Sequence, residues 1–512
     1  MKRIKFILPL IAGFMLFSCS DYLDVNNSSD NPDANLVTPN LSLAAAQSDS
    51  YRTLTQRMNE YGNVFMNNWG ANVNSFTGGY AEEFGITLSN NFYDDIWDGV
   101  YRGTGEFSRI INHPAANYEN HKAIAMICKA FYMQYMVDLY GDVPYSQAHL
   151  GLANLSPAYD DDKEIYRDLV VQLENAVNMI DHPTSTTKAV GAEDVILGGN
   201  MLAWKKFANT LKLRILLRQS ELTDADTQTY LAGEFAELAG AAFVDQDVTI
   251  NPGYSNGSDS RQNPFYTLMY DLKEVNDPTR AERTAFRFRR ASAYIANQLN
   301  VSPVDPRRGR LFSLIGGEVV GVEQGADNDT APDNISSLGT GLVISSEQDG
   351  YMMLLAESLL LQAEAVHKGY LAVGDPQTLF DNAIVASMFQ LGAPVGDIQN
   401  YIDSVNLIVG KGYGALGATP EQQLEAIFYQ KSIALNGING AEIFIEYTRA
   451  RKNGMPLIDA NIDMPIPGVT PDGNHKPRRL MYPVSEISNN TANVPAQTVT
   501  DCYTSGPFWF AQ

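Results

Sequence analysis

The chain has 512 residues and a formal net charge of −23 at pH 7, from 36 basic and 59 acidic side chains. Nucleic-acid phosphates need a basic protein surface, so this balance argues against a nucleic-acid partner and disfavours a polyanionic ligand. The three cysteines form neither a metal-binding spacing nor a redox motif. Length alone suggests about three domains. No Pro/Gly/Ser-rich linker divides the chain, however, and we predict one domain over residues 36–512.

Residues 1–18 have the three-part layout of a secretory signal peptide. Three basic residues precede an apolar run, and a serine and Cys19 follow it. The run is too short for a transmembrane helix, which needs roughly 20 apolar residues. The letters LFSC resemble a bacterial lipoprotein cleavage site, which implies that Cys19 becomes an N-terminus carrying acyl chains such as palmitate. An ordinary cleaved signal with a chance cysteine is the alternative.

Residues 19–35 are acidic and rich in asparagine, and we expect a flexible tether between the lipid and the folded domain. Ser20, Asp21 and Asp24 resemble the acidic surface-export signal of Bacteroidetes lipoproteins. Together with Cys19, they predict a protein held by lipid at the outer surface of the cell.

Apolar periodicity predicts helices along most of the chain. In the segment 121–145, an apolar residue recurs at steps of four and three from Ile124 to Leu139. Further predicted helices cover residues 41–68, 91–112, 161–181, 197–220, 226–238, 281–299 and 420–436. Cys128 lies inside an apolar helical pattern, where a buried thiol is expected. Whether Cys128 pairs with Cys502 stays open.

In the C-terminal half, two helices end at Gly369 and Gly392, which are predicted C-caps. The pair is rich in alanine and joined by a short glycine-containing turn, and it resembles a tetratricopeptide unit. Residues 240–350 are looser, with Asn-, Gly-, Ser- and Pro-rich segments that predict surface loops. We therefore predict a mostly α fold, in which tetratricopeptide-like helix pairs form a scaffold with long irregular loops and minor β structure.

Several segments in a fixed order carry a more specific pattern. They are YMVDLYGDVPYSQA (135–148), WKKFANTLKLRILLR (204–218), LLAESLLLQAEAVHKG (354–369), DNAIVASMFQLG (381–392), EAIFYQKSIALNGINGAEIFIEYTRARKNGMP (425–456) and RRLMYPVSEISNN (478–490). They resemble motifs of the SusD/RagB family of nutrient-binding outer-membrane lipoproteins, particularly its second SusD-like subgroup. The stretch Thr448–Lys452 departs from the family's pattern, in which Trp-x-x-x-arginine pairs are commoner.

Most motif residues have a structural interpretation. Trp204 and Phe207 lie at core spacing on one helix, and Trp97 precedes Tyr101 by one helical turn. We interpret the charged motif residues as buried or half-buried charge partners rather than as catalytic acids and bases. These residues are Glu357, Glu364, Arg449, Arg451 and Arg479.

The resemblance implies a function. It implies a surface-exposed lipoprotein of the outer membrane that binds an oligosaccharide and acts as the lid of a SusC-like TonB-dependent transporter, to which it delivers the ligand. An oligopeptide ligand is the related alternative. A surface glycoside hydrolase is a further one, because 59 acidic residues offer carboxylate pairs by chance. The chain has no G-x-S-x-G, H-E-x-x-H, P-loop or Rossmann motif, and we expect no catalysis.

The resemblance also implies where ligand binds. The family usually builds its ligand patch from the loop after the first long helix and from loops of the irregular middle. Here the first loop is residues 67–84, in which aromatic rings dispersed among Asn and Gly are hard to bury. Aromatic faces stack on sugar C–H groups, and amide and guanidinium groups bind hydroxyls. On location and chemistry we predict ligand contacts at Trp69, Asn72, Phe76, Tyr80, Tyr254, Arg261 and Tyr266.

Residue spacing predicts no cofactor and no metal site. The segment DNDTAPDN (327–334) has oxygen donors suited to Ca²⁺, but it lacks the glycine and the distal glutamate of an EF-hand. We predict no metal, and a structural Ca²⁺ at this segment is the alternative.

Overall fold

The computed structural model describes residues 37–71, 80, 82–83, 87–272, 281–324, 330–452 and 476–510. Its α-helices are α1 (Pro39–Thr53), α2 (Asn59–Phe65), α3 (Asp94–Ile111), α4 (Glu119–Tyr140), α5 (Asp162–Asp181), α6 (Met201–Arg218), α7 (Ala225–Glu237), α8 (Pro264–Thr267), α9 (Thr284–Phe288), α10 (Ala293–Asn300), α11 (Arg308–Leu311), α12 (Leu355–His367), α13 (Pro376–Leu391), α14 (Ile398–Val405), α15 (Pro420–Leu435), α16 (Gly440–Lys452), α17 (Val484–Asn489) and α18 (Asp501–Thr504). The β-strands are β1 (Trp69–Gly70), β2 (Val248–Ile250), β3 (Arg290–Ala291) and β4 (Gly350–Met353).

The predicted mostly α fold is confirmed. Consecutive helices α3, α4, α5 and α6 pack side by side, and α12 packs on α13. Helix α4 is buried along most of its length, which agrees with its apolar sequence. Gly392 is the C-cap of α13, as predicted, whereas the C-cap of α12 is Lys368 and Gly369 follows it. Both glycines adopt positive φ. The helix pair 355–391 is thus a hairpin whose turn is set by glycine.

Two predicted helices are interrupted. The segment 281–299 is not one helix, because it divides into α9, β3 and α10. Ser292 starts α10 as an N-cap whose hydroxyl accepts a hydrogen bond from Ile295 N at 3.1 Å. Helical structure over residues 41–68 is nearly continuous, but α1 and α2 are joined by a π-helical segment, Leu54–Met58.

The minor β structure consists of two antiparallel pairs among the described residues. Strand β1 pairs with β3, and Trp69 lies opposite Ala291. Strand β2 pairs with β4, and Ile250 lies opposite Gly350. The β1–β3 pair joins the end of the first helical segment to the irregular middle of the chain, and this connection positions the candidate site.

The core has three parts. The largest lies between α1–α7, α12 and α16 and contains the rings of Trp97 and Trp204, as predicted. A second cluster lies beneath the irregular middle and contains Trp69, Phe265 and Phe312. The third lies between α13, α14 and α15. The irregular segment 240–350 therefore covers a hydrophobic core of its own, although its sequence predicts surface loops.

The charged motif residues meet inside the largest core. Arg214 Nη1 lies 3.0 Å from Glu357 Oε1, and Arg449 Nη1 lies 2.7 Å from Glu364 Oε1. Arg218 Nη2 lies 2.8 Å from Glu442 Oε1. The side chains of these ion pairs are almost wholly buried. The interpretation of Glu357, Glu364 and Arg449 as charge partners is confirmed, since they hold α6, α12 and α16 together.

Arg479 is half-buried, and its Nη1 donates to Tyr140 O at 3.4 Å. The side chain of Arg451 lies outside the described residues.

Cys128 and Cys502 are both buried free thiols, so the open question of their pairing is answered by two unpaired cysteines. Within the described residues, no helix combines the length and the apolar character needed to cross a membrane.

Candidate functional site

Left-handed backbone occurs at three buried residues that follow or contact α2. Asn67, Tyr80 and Tyr93 have φ values of 55°, 53° and 54°. Non-glycine residues seldom adopt positive φ, and such strain collects at functional sites. The π-helical segment Leu54–Met58 belongs to the same region, because the Arg57 guanidinium carbon lies 4.5 Å from the centre of the Tyr93 ring. Single π-helical turns are likewise frequent at functional sites.

Five polar side chains meet in this region, and we call them the arginine–carboxylate cluster: Arg57, Glu60, Tyr80, Asp95 and Arg289. Glu60 is at its centre. Its Oε1 accepts hydrogen bonds from Tyr80 OH at 3.0 Å and from Arg289 Nη2 at 2.6 Å. Its Oε2 accepts from Arg57 Nη1 at 2.9 Å, and Arg57 Nε donates to Asp95 Oδ2 at 2.6 Å.

The cluster has a buried side and an exposed side. The side chains of Glu60 and Arg289 are buried, whereas those of Arg57 and Asp95 are 40% and 49% exposed. Burial, and then the neighbouring Glu60 carboxylate, raise the pKa of the Tyr80 phenol well above its ordinary value, so its hydroxyl stays protonated and donates to Glu60. The exposed side thus offers the Arg57 guanidinium as a donor and the Asp95 carboxylate as an acceptor. The buried Glu60 and Arg289 fix this arrangement from the protein interior.

Trp69 and Tyr266 are not where the sequence placed them. Trp69 is 1% exposed and Tyr266 is fully buried, and both belong to the second core cluster. The expectation that the Trp69 ring resists burial is wrong, because β1 carries it against β3 and Phe265 covers it at a ring-centroid distance of 6.5 Å. A ligand contact by either ring stays a prediction, and it would require the covering side chains to move.

The remaining predicted site residues lie in the arginine–carboxylate cluster, in the segment 254–261, or outside the described residues. Tyr80 belongs to the arginine–carboxylate cluster. Tyr254 is half-buried, and Arg261 is exposed at the end of a 3-10 turn, Asp259–Arg261. Their segment continues into α8, which adjoins the π-helical segment through a hydrogen bond from Gln56 Nε2 to Pro264 O at 2.7 Å. Asn72, Phe76 and Cys19 lie outside the described residues.

Sequence reasoning missed Arg57, Glu60, Asp95 and Arg289. The first two had a signal, since they are charged residues three positions apart on a predicted helix and therefore share a face. Asp95 and Arg289 had none. They come from α3 and from the end of α9, and only the tertiary structure brings them to Glu60 and Arg57.

Among the described residues, two carboxylate triplets have the proximity to hold a cation, but each has a structural role. Glu174, Glu234 and Glu237 surround Lys212 Nζ. In the triplet of Asp142, Asp161 and Asp162, the side chain of Asp161 caps α5, and Asp162 Oδ2 accepts from Phe508 N at 2.7 Å. Half of the side-chain oxygen donors of the segment 327–334 lie outside the described residues, so the Ca²⁺ expectation there stays a prediction.

Comparison with known proteins gives one family and a consistent fold. A SusD-like family model, described as starch-binding and associating with the outer membrane, matches residues 31–483. None of the curated protein sequences matches the chain. Solved structures do match it at a TM-score near 0.7.

A structure described as a chitin-binding protein has 21% identity and a TM-score of 0.68, with 94% of this chain and 99% of that chain covered. A chitin-binding SusD homologue from Flavobacterium johnsoniae has 20% identity and a TM-score of 0.69, with 92% and 98% covered. A SusD-like protein from Bacteroides thetaiotaomicron VPI-5482 has 22% identity and a TM-score of 0.68, with 92% and 98% covered. At these identities, the likeness establishes a shared fold.

Proposed function

The chain belongs to the SusD-like family of starch-binding proteins associated with the outer membrane, and from this membership we propose that it is a non-catalytic, surface-exposed lipoprotein that binds oligosaccharides. Cys19 carries its lipid anchor. The protein acts as the lid of a SusC-like TonB-dependent transporter and delivers the bound oligosaccharide to it. The observation that supports the binding role is the arginine–carboxylate cluster, which holds the partly exposed hydrogen-bonding groups of Arg57 and Asp95 in fixed positions.

The chemistry of the cluster suits a hydroxyl-rich ligand. Sugar hydroxyls both donate and accept hydrogen bonds, and they need both kinds of partner in fixed positions. Arg57 offers only donors and Asp95 only acceptors, and the 2.6 Å contact between them sets their relative position. The Tyr93 ring beneath Arg57 restrains the guanidinium by a cation–π contact. Binding therefore requires little reordering of these side chains.

The cluster is also poorly arranged for glycoside hydrolysis. A hydrolase needs one carboxyl group that donates a proton and a second that attacks the sugar or activates water. Glu60 is occupied by two guanidinium groups and a phenol, and Asp95 by one guanidinium group. Both carboxylates are thus held as partners of arginine side chains. Burial raises the pKa of Asp95, although its pairing with Arg57 opposes the shift. The pairing of both carboxylates supports a binding role over a catalytic one.

Arg57→Ala tests the binding role. A glycan array would first identify an oligosaccharide that binds the wild type, and calorimetric titration with it would follow. We expect Arg57→Ala to weaken binding about tenfold, because an exposed donor at a ligand site is removed. The control is Arg109→Ala, which removes a 65% exposed guanidinium paired with Glu106 on α3. Equal affinities for the two variants would contradict the assignment of the site.

The lid role has a separate test. We expect the SusC-like transporter to co-purify with the protein from outer membranes solubilised in mild detergent. Arg57→Ala should leave that association unchanged while it weakens ligand binding. Failure of the transporter to co-purify with the wild type would contradict the lid role but not the binding role.

A further inference from the structure

A groove lies on the helix pair α12–α13, apart from the arginine–carboxylate cluster. It has a volume of about 760 Å³, and residues 243–247, which lead into β2, line its other side. This size lies within the range of about 300–1,000 Å³ that small-molecule sites occupy. The floor is aliphatic and half-buried, and it includes Leu355, Leu359 and Val385.

One aromatic ring at this groove differs in solvent exposure from every other Phe, Tyr or Trp ring of the described residues. Phe389, near the end of α13, is 59% exposed. Every other Phe, Tyr or Trp of the described residues is buried or half-buried. An exposed phenyl ring beside a groove presents a flat apolar face to solvent, and the hydrophobic effect favours a ligand that covers it.

Carboxamide groups line the same groove as that ring. Gln246, Gln362, Asn382 and Gln390 all line the groove. Ser358 holds Gln362 Nε2 through its backbone oxygen at 3.2 Å and its hydroxyl at 3.1 Å, which leaves the Gln362 carbonyl oxygen as an acceptor. Asn382 and Gln246 are exposed and make no side-chain hydrogen bond to another described residue. Each of these two amides therefore offers both donors and an acceptor.

The charged side chains at the groove indicate that its ligand is not anionic. Asp245 and Asp247 line it, and no cation does. The ammonium group of Lys206 approaches from outside and pairs with Asp245 at 2.5 Å. Asp247 Oδ1 accepts from Leu355 N at 2.7 Å. An anionic ligand would meet two carboxylates without a free counter-charge, and the groove therefore disfavours it.

We propose that this groove is a second carbohydrate site, which binds a neutral oligosaccharide by stacking one sugar ring on Phe389 and hydrogen-bonding its hydroxyls to Asn382, Gln362 and Gln246. The apolar C–H face of a pyranose matches the phenyl ring, and planar amides match neighbouring hydroxyls. The site stands on its own residues and does not depend on binding at Arg57. A protein surface seated on Phe389 is the competing occupant.

Affinity electrophoresis tests the proposal with the purified protein. Native gels would contain amylopectin, glycol chitin, xylan, mixed-linkage β-glucan or galactomannan, with polygalacturonate as the anionic probe. We expect at least one neutral polysaccharide to slow the wild type, and Phe389→Ala to raise the apparent Kd about tenfold in that gel. Phe389→Tyr keeps the ring and should bind like the wild type. Asn382→Ala should weaken binding by a smaller factor.

Val373→Ala is the matched control, since Val373 is 80% exposed in the turn between α12 and α13 and does not line the groove. Equal migration of Phe389→Ala and wild type in every gel would overturn the second site, as would retardation by none of the neutral polymers or by polygalacturonate alone. If Phe389→Ala lowers only the yield of co-purified transporter, the groove is a protein-docking surface and the proposal is wrong.

Arg57→Ala in the same gels separates the two sites. Retardation that depends on Phe389 but not on Arg57 supports the groove and contradicts the cluster. The reverse result supports the cluster and contradicts the groove. If both sites bind, each variant retains part of the retardation and the double variant loses it.

Discussion

Trp69 and Trp204 are both buried, but their indole N–H groups are satisfied differently. Trp204 Nε1 donates to Asp194 Oδ2 at 2.7 Å. Trp69 Nε1 has no hydrogen-bond acceptor in the described part of the chain. A buried donor without a partner costs about 1–3 kcal/mol. Trp69 therefore stabilises the fold less than its buried area alone would indicate.

This difference predicts the effect of replacing each indole with phenyl. Trp204→Phe removes a donor from the buried Asp194 carboxylate and should lower the free energy of unfolding by about 2–3 kcal/mol. Trp69→Phe removes an unpaired donor and should cost at least about 1 kcal/mol less than Trp204→Phe. Urea unfolding of both variants measures the difference. A larger loss for Trp69→Phe would show that its indole has a hydrogen-bond partner.

Alanine at the same positions tests burial itself. Trp69→Ala and Trp204→Ala should each lower the free energy of unfolding by about 3–5 kcal/mol, because both leave a large cavity. If Trp69→Ala melts like the wild type, the Trp69 ring is exposed at the surface, as the predicted ligand patch requires.

The sequence predicted the burial of Trp204 but not that of Trp69, and the reason is local. Trp204 lies in a helix whose apolar spacing identifies its buried face. Trp69 lies between polar residues in a two-residue strand, and the side chains that cover it come from residues about 200 positions later. No local pattern encodes such a contact. The same holds for the ion pair of Arg289 with Glu60.

At the scale of elements, two glycines allow α2 and α16 to cross in close contact. A Cβ atom on Gly62 would lie 1.9 Å from Gly440 C, and one on Gly440 would lie 2.4 Å from Asn59 O. The crossing is fixed by Asn59, whose Nδ2 donates to Gly437 O at 2.8 Å and whose Oδ1 accepts from Gly440 N at 2.9 Å. Because α2 also carries Glu60, this contact positions the candidate site.

Gly62→Ala should therefore lower the free energy of unfolding by about 3 kcal/mol or prevent folding, since two backbones must separate. Gly233→Ala is the control, because a Cβ atom at that helical position would have no neighbour within 4 Å. It should raise the free energy of unfolding by about 0.5–1 kcal/mol. Thermal melts of the two variants compare them, and a stable Gly62→Ala would contradict the close crossing.

The buried ion pairs predict a particular dependence of stability on pH. Burial raises the pKa of Glu357 from 4.5 to about 7, although Arg214 opposes the shift. Between these values the folded state holds a proton that the unfolded state has released. The stability due to this group is thus fully present below about pH 4.5 and is lost as the pH rises towards 7.

Glu357→Gln removes this titration, and the variant should lose less stability than the wild type between pH 5 and about 8. Urea unfolding across that range measures it. Glu364 is the contrasting residue, because Arg449 and Lys368 outweigh its burial and lower its pKa to about 2. Its stabilisation is present above about pH 4.5 and is lost towards pH 2, so Glu364→Gln should be destabilised at neutral pH. Parallel pH profiles for Glu357→Gln and wild type would contradict the raised pKa.

The sequence predicted that these motif charges would be partners, but not which charges would pair. Their presence on apolar helices required burial, and buried charges need counter-charges. The pairing of Arg214 with Glu357, however, depends on how α6 and α12 pack, and those helices are distant in the chain. Local periodicity likewise predicted most helix positions, whereas the strand within 281–299 depends on its partner β1.

At the scale of the whole molecule, the proposed function requires that a lipid anchor hold the protein at the cell surface. Cys19→Ala should abolish incorporation of labelled palmitate and surface exposure, because acyl chains supply the membrane affinity. Metabolic labelling and protease accessibility of intact cells measure the two effects. Unchanged labelling in the variant would contradict the lipoprotein assignment.

Native mass spectrometry tests directly whether the protein binds intact oligosaccharides. The purified protein would be incubated with a mixed library of neutral oligosaccharides and peptides, with Arg57→Ala and Phe389→Ala in parallel. We expect complexes that contain uncleaved oligosaccharide, at lower abundance in the variants, and no new fragments over several hours. Complexes with peptides alone, or the appearance of shortened glycans, would contradict the proposed binding role.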